Sequence, residues 1–360
     1  MNTFATSTKI TTRKQHHIDV CRAESGQEVE SSLSAGFHNL KFVHTALPEM
    51  SWDEIETKSD FLGQSIAFPF FISCMTGGSE EGYQANRELA KAAQQANIPI
   101  GLGSMRVLLE DPSRLKDFRM KEVAPDVPVL ANLGAVQLRE LSVSKIKELI
   151  QSVEADALVI HLNCGQELFQ SGGDRDFTGL YSAIGKFVDE SQVPLIVKET
   201  GFGIRPAQVK KLLELGVEYV DLAGAGGTNW ALVEERCREQ GNHAGMEFAD
   251  WGIPTAVLLE STRCFSGRIL ASGGLRSGMD LAKSLALGAL AGGMALPLFQ
   301  AALKGGADEV SQKIEEIHYV LKSTMLLTGC RTLDELRKVP LLKSSGFEQT
   351  VESLKKIDEI

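Results

Sequence analysis

No apolar stretch in this sequence approaches the roughly 20 residues that a membrane-spanning helix needs. Met1 to Val20 is polar and has no apolar core of the kind a secretory leader carries. The six cysteines, Cys21, Cys74, Cys164, Cys237, Cys264 and Cys330, include no close pair, which argues against a disulfide framework and against a zinc site. There is no low-complexity tract. Net basic charge is missing too. The formal charge is −10, and a general nucleic-acid binder needs a basic face for the phosphate backbone. A small anion held in a local basic pocket remains compatible with that charge. These absences lead us to expect a reduced, cytoplasmic enzyme that binds neither membrane nor nucleic acid.

What is present is ordinary in bulk and patterned in detail. Hydrophobic residues make up 43% and charged residues 23% of the 360 positions, which excludes disordered and fibrous classes. A chain this long buries about 75% of the surface that its unfolded form exposes. Eight apolar runs recur, at residues 68–74, 99–104, 128–133, 157–163, 194–199, 219–223, 268–272 and 290–296. Each is short and bounded by glycine, proline or polar residues, as buried parallel strands are. Helix-period stretches lie between them at 80–97, 143–153, 181–190, 206–215, 254–264 and 279–287. Eight alternations predict a closed (β/α)₈ TIM barrel, an α/β fold that takes roughly 250 residues. We assign residues 1–63 to an N-terminal arm and lead-in, 64–300 to the barrel and 301–360 to C-terminal helices, all in one domain. The connection 224–252 is long, and long loops in compact domains are commonly functional.

Barrels of this kind carry their active sites at the C-terminal ends of the strands. There the sequence places Met75-Thr76-Gly77, Ser104 and Arg106, Asn132, a cluster from His161 to Glu167, Lys198, Thr228, Ser272-Gly273-Gly274 and Ala295-Leu296. Gly273, Gly274 and Arg276 precede a helix, where backbone amides and the helix dipole form a phosphate cradle; tight turns are the plainer reading. A lysine closing a buried strand must be satisfied. Lys198 therefore either pairs with Glu199 or Asp221, or lies at the N1–C2 edge of a flavin, with Asn132 and Thr76 as further hydrogen-bonding groups. His161 and Asn163 alternate along a strand and so share a face. Glu167 is a candidate magnesium ligand, since Mg²⁺ takes one or two carboxylates plus phosphates and waters. The basic stretch around Arg13, Lys14 and His17 is either a frayed terminus or an arm that folds over a diphosphate.

In order along the chain, these motifs resemble the FMN-dependent type 2 isopentenyl-diphosphate isomerases. The resemblance rests on Arg-Lys-x-x-His at Arg13, Met-Thr-Gly-Gly at Met75, Gly-Ser-x-Arg at Gly103 and Asn-x-Gly-Ala-x-Gln at Asn132. It continues through His-Leu-Asn-x-x-Gln-Glu at His161, Gly-Asp-Arg-x-Phe at Gly173, Val-Lys-Glu at Val197, Gly-Gly-Thr-x-Trp at Gly226 and the Ser-Gly-Gly run at Ser272. Met105 departs from it, standing where glutamine is expected.

The resemblance implies that the substrate diphosphate meets Arg13, Lys14, His17, Ser104, Arg106, His161 and Asn163, with Glu167 reaching it through Mg²⁺. It implies that FMN meets Met75, Thr76, Gly77, Ser104, Asn132, Lys198, Thr228, Gly273, Gly274, Arg276, Ala295 and Leu296. The five-carbon end would lie near Gln166, Trp230 and Glu234, the expected catalytic residues, with Gln166 also contacting substrate. Isopentenyl and dimethylallyl diphosphate differ by the position of one double bond, so one proton is delivered and another removed. Reduced FMN offers an electron-rich face and a protic N5 for this with no net redox change. NADPH would serve only as flavin reductant. The family also implies a homo-oligomer, tetramer or octamer. An FMN-dependent 2-hydroxy-acid oxidase or dehydrogenase is the rival enzyme, although residues 223–230 hold no histidine or arginine to take its α-proton or carboxylate. A non-catalytic phospholigand-binding barrel is the other alternative.

Overall fold

A computed structural model of the chain describes residues 3–22, 29–238 and 243–359. Eight parallel strands close on themselves: Phe70–Ile72, Ile100–Gly101, Val129–Gly134, Ala157–Leu162, Leu195–Glu199, Tyr219–Asp221, Ile269–Ala271 and Ala291–Met294. The first pairs with the eighth and the sixth with the seventh, so the sheet has no free edge. Every expected apolar run contains one of these strands. Residues are buried on both faces because the inner face fills the barrel while the outer face meets helices.

Inside, Phe71, Leu130, Val159, Ile196, Tyr219 and Leu270 pack together. A hairpin of Ser59–Phe61 and Gln64–Ile66 adds Phe61 and Ile66 to this cluster. The Phe61 ring stands 5.5 Å from that of Tyr219 and 6.2 Å from that of Phe71. The lead-in segment thus plugs the N-terminal end and leaves the other end for chemistry.

Outside, the helices fall where the 3.6-residue period placed them: Glu80–Ala96, Val143–Ser152, Leu180–Ser191, Pro206–Glu214, Thr255–Ser261 and Gly278–Ala286. The first is representative. Ser79 caps it by accepting from Gly82 N, Leu89, Ala92 and Ala93 face the core, and Asn97 ends it in the left-handed region. The second strand has no α-helix after it. Three short 3₁₀ segments fill that place, Met105–Leu109, Pro112–Asp117 and Met120–Glu122. The eighth strand stops at Met294, two residues before the expected end. Leu296 already belongs to the helix Leu296–Thr328, which breaks at Gly305 and Gly306 (φ 65°, ψ −151° at Gly306). The tail then folds back. Strand Leu341–Lys343 pairs antiparallel with Leu40–Phe42, joining the end of the chain to its lead-in.

The N-terminal arm is a helix, Thr3–Arg22, and it lies across the open end of the barrel. Its Ile18 and Cys21 pack with Val233, Leu296 and Phe299. Gln15 donates to Glu81 Oε2 at 2.6 Å, Arg22 pairs with Glu81, and Gln300 donates to the Cys21 carbonyl at 3.0 Å. Among the described residues no helix is long and apolar enough to cross a membrane.

Candidate active site

Strand register builds the floor of the site. His161 stands opposite Gly134 on one side and Lys198 on the other, and Lys198 stands opposite Asp221. Three titratable side chains therefore form one row across adjacent strands. Above them two adjoining cavities open under the N-terminal helix. The larger encloses roughly 1050 Å³, its solvent mouth included, and the smaller roughly 550 Å³. Cys74, Met75, Lys198, Thr200 and Trp230 line both, so the two spaces meet at the end of the first and fifth strands.

The larger cavity collects the expected basic residues, Arg13, Lys14 and Arg106, with His17, Ser104, His161 and Asn163 beside them. Lys14 Nζ donates to the Ser104 carbonyl at 2.9 Å and lies 5.6 Å from the centre of the Phe118 ring. Arg106 Nη1 is 3.7 Å from Asp174 Oδ2. Met105 is fully buried and lines neither cavity, while its neighbours Ser104 and Arg106 face the larger one. The one departure from the family pattern thus points away from the ligand space. His161 Nδ1 donates to Asn132 Oδ1 at 2.6 Å, which leaves Nε2 as the free nitrogen. Burial, followed by the charges of Lys198, Lys14 and Arg106, depresses its pKa to about 3, so the ring is neutral.

Helix Cys164–Phe169 aims the next group of side chains. Gln166 Nε2 donates to Glu234 Oε1 at 2.7 Å, and Asn163 Nδ2 donates to Gln166 Oε1 at 3.2 Å. His17 Nε2 lies 3.0 Å from the same Glu234 oxygen, and its ring meets that of Trp230 edge-on at 5.3 Å. Glu234, 3% exposed, sits behind Gln166 and is the one expected catalytic residue that lines neither cavity. Glu167 is also buried. Its Oε1 accepts from Asn163 at 3.1 Å, and its Oε2 accepts from Gln170 at 3.0 Å and from Asp174 N at 2.8 Å. Oε1 therefore keeps a lone pair, which fits a magnesium ion that draws the rest of its shell from phosphate and water. Among the described residues no group of three or more His, Cys, Asp or Glu side chains forms a metal cage.

The smaller cavity suits the phosphate end of a flavin mononucleotide. Its walls are the ends of the sixth, seventh and eighth strands, with Thr228, Gly273, Gly274, Arg276, Ala295 and Leu296. Of the residues expected to meet FMN, Thr76, Gly77, Ser104 and Asn132 line the larger cavity instead. Gly273 and Gly274 have φ of 90° and 80°, and a Cβ there would lie 2.2 Å from Gly224 O and 2.4 Å from Gly226 O respectively. Only glycine permits this turn to lie so close to its neighbour. Helix Leu296–Thr328 begins at Ala295 with no side-chain cap; Pro297 has no N–H and Leu298 N donates to the Ala295 carbonyl at 3.1 Å, so in the first turn only the Leu296 amide is left for an anion. Lys198 is 8% exposed and donates to the Glu199 carbonyl at 2.6 Å rather than to either expected carboxylate. The Glu199 carboxylate is taken up by the amides of Gly201, Phe202 and Gly203, and that of Asp221 by Ser272. Burial raises the pKa of both acids.

In the larger cavity five lining residues with a thiol, hydroxyl or amide were absent from the expected set: Cys21, Cys74, Gln137, Gln170 and Thr200. Gln137 lay within a motif already noted. Gln170 follows the Glu167 motif by one helical turn, a spacing that could have marked it.

The closed barrel and its paired cavities define a flavin-dependent (β/α)₈ enzyme class. The FMN-dependent dehydrogenase family matches residues 14–164 and 176–342 of the chain. Solved structures with this fold include the flavin-binding domain of baker's yeast flavocytochrome b2 (TM-score 0.66, 19% identity, 89% of this chain and 79% of that one). A lactate oxidase of Pediococcus acidilactici is similar too (TM-score 0.66, 14% identity, 93% and 94%). Much nearer in sequence are isopentenyl-diphosphate delta-isomerases. That of Borrelia garinii subsp. bavariensis is 44% identical over 340 residues, 93% of this chain and 94% of the relative. That of Rickettsia akari is 42% identical over 334 residues, 91% and 96%. The chain belongs to the isopentenyl-diphosphate delta-isomerase family, in its FMN-dependent form.

Proposed function

We propose that this protein interconverts isopentenyl and dimethylallyl diphosphate by allylic proton transfer, with reduced FMN and Mg²⁺. The observation that carries the reading is the polarity of the joined cavities. Cations gather in the larger cavity, Trp230 and Lys198 stand at its junction with the smaller one, and Gln166 lines the larger cavity with them. Arg13, Lys14, His17, Ser104, Arg106 and Asn163 grip the diphosphate, with His161 beside them as a neutral ring, and spend its binding energy on fixing the small alkene end. Glu167 supplies the one protein carboxylate to Mg²⁺. Thr228, Gly273, Gly274, Arg276, Ala295 and Leu296 hold the FMN phosphate end, while Met75, Thr76, Gly77, Asn132 and Lys198 flank the ring. When bound in its reduced form, FMN supplies an electron-rich face and a protic nitrogen beside the reacting carbons, and NADPH is the natural reductant. Glu234 accepts from the Gln166 amide and so fixes that side chain, whose place is beside the alkene end of the substrate. Trp230 presents its ring to developing positive charge.

The test is anaerobic. With isopentenyl diphosphate, Mg²⁺ and chemically reduced FMN, the dimethylallyl isomer accumulates, and with oxidised FMN and no reductant it does not. Glu167→Gln raises the Mg²⁺ concentration needed for half-maximal rate. Turnover on fully oxidised flavin, or an unchanged Mg²⁺ requirement, removes the corresponding part of the proposal.

A further inference from the structure

Arg276 lines the smaller cavity, yet most of its guanidinium is held from elsewhere. Nε and Nη2 donate to Glu30 Oε1 at 3.1 and 2.6 Å, and Nη1 donates to the Leu275 carbonyl at 2.9 Å. Of five N–H groups, one on each terminal nitrogen is left over. Glu30 lines neither cavity, so it grips the guanidinium from outside. Nor is it a loose surface acid. Glu30 forms an antiparallel bridge with Thr228, Ser31 N donates to Gly227 O at 2.7 Å, and Asn229 N donates to Val29 O at 2.7 Å. The guanidinium lies against the same loop, since a Cβ on Gly227 would come within 3.4 Å of Nη2.

We propose that Glu30 is a positioning residue for the cofactor phosphate: it fixes the Arg276 fork so that its two remaining N–H groups face the anion. The proposal rests on the reading that the Gly273–Gly274 turn and Arg276 receive the FMN phosphate. A free arginine would lose side-chain freedom on meeting the phosphate, and Glu30 removes that cost beforehand. The pair is 246 residues apart in sequence, so the N-terminal segment completes a site built by the seventh strand.

FMN and riboflavin, which lacks the phosphate, separate this role from a structural one. Apoprotein is titrated with each and flavin fluorescence quenching is followed. The parent binds FMN more tightly than riboflavin. Glu30→Gln weakens FMN by about five- to tenfold, the scale of one charge-assisted contact, and leaves riboflavin within about twofold. In an Arg276→Gln background the Glu30 substitution has no further effect on FMN. Glu30→Asp, which keeps the charge and shortens the reach, gives an intermediate loss and serves if the first variant does not fold. Equal losses for both flavins, or none for FMN, overturn the proposal. A parent that does not distinguish FMN from riboflavin overturns the phosphate reading beneath it.

Discussion

Burial pulls the Lys14 ammonium from its ordinary 10.5 down to about 7, and the adjacent Arg13 charge adds to the effect. A diphosphate beside it supplies an opposite charge that outweighs both causes and favours the charged form. Between the free and bound pKa values, binding therefore takes up a proton, and affinity weakens as pH rises. The uptake is roughly half a proton at pH 7 and close to one at pH 8. KM for isopentenyl diphosphate should climb toward tenfold per pH unit above about pH 7 in the parent. Lys14→Met should lose that rise along with much of the affinity. A pH profile shared by parent and variant would assign the titration to another group. His161 behaves differently. With a pKa depressed to about 3, it stays neutral across this range and, its Nδ1–H being given to Asn132, presents the Nε2 lone pair and no charge. The cations available to the substrate are therefore Arg13, Lys14 and Arg106.

Short helices carry Gln166, Glu167, Trp230 and Glu234, and short helices were the hardest to read. The eight strands were legible because parallel strands buried on both faces leave apolar runs. The longer helices were legible because a 3.6-residue period needs several turns to show. Ala135–Glu140, Cys164–Phe169 and Trp230–Arg236 have six, six and seven residues and none was expected; Thr255–Ser261, also seven, was found because the periodic stretch 254–264 runs beyond it. The helix Thr3–Arg22 read as a polar arm because its docking partners, Val233, Leu296 and Phe299, lie more than two hundred residues away. The residue types at the site were legible from motifs. The Glu30–Arg276 and Gln166–Glu234 pairs were not, because only the fold brings them together. Helix Trp230–Arg236 shows what replaces periodicity. Asn229 Oδ1 accepts from Ala231 N at 3.0 Å and Leu232 N at 3.3 Å, and its Nδ2 donates to Phe248 O at 2.8 Å. One fully buried side chain thus caps the helix that carries Trp230 and Glu234 and ties it to the next loop. Asn229→Ala should cost about 1–2 kcal/mol from the cap, with a further loss from the stranded Phe248 carbonyl. Asn229→Asp, which keeps the acceptor alone, should recover the cap part. Turnover should fall with the Ala variant, because Glu234 no longer backs Gln166. Denaturation midpoints and kcat of the two variants check this, and an Ala variant as stable as the parent would show that the cap does not hold the helix.

At the scale of the molecule, charge works against the proposed substrate. The chain carries −10 overall, and a diphosphate is itself a polyanion, so the long-range field repels it. Attraction comes from the proposed Mg²⁺ and from the cation cluster beneath the N-terminal helix, where Lys14 is buried and Arg106 is partly paired with Asp174. Salt acts unequally on the two. Screening at a Debye length of about 8 Å weakens repulsion between the acidic exterior and an approaching ligand, while contacts inside the cavity are closer than that and drier. An enzyme that steers its substrate with a basic face loses kcat/KM as salt is added. This one should keep kcat/KM level or gain modestly between low ionic strength and 0.15 M, with Mg²⁺ held constant. Lys14→Met should lower the whole curve without changing its slope, since Lys14 acts at contact range. A steep fall in the parent would mean that a positive mouth does guide the diphosphate inward despite the net charge. The acidic exterior would then be too far from the approach path to matter.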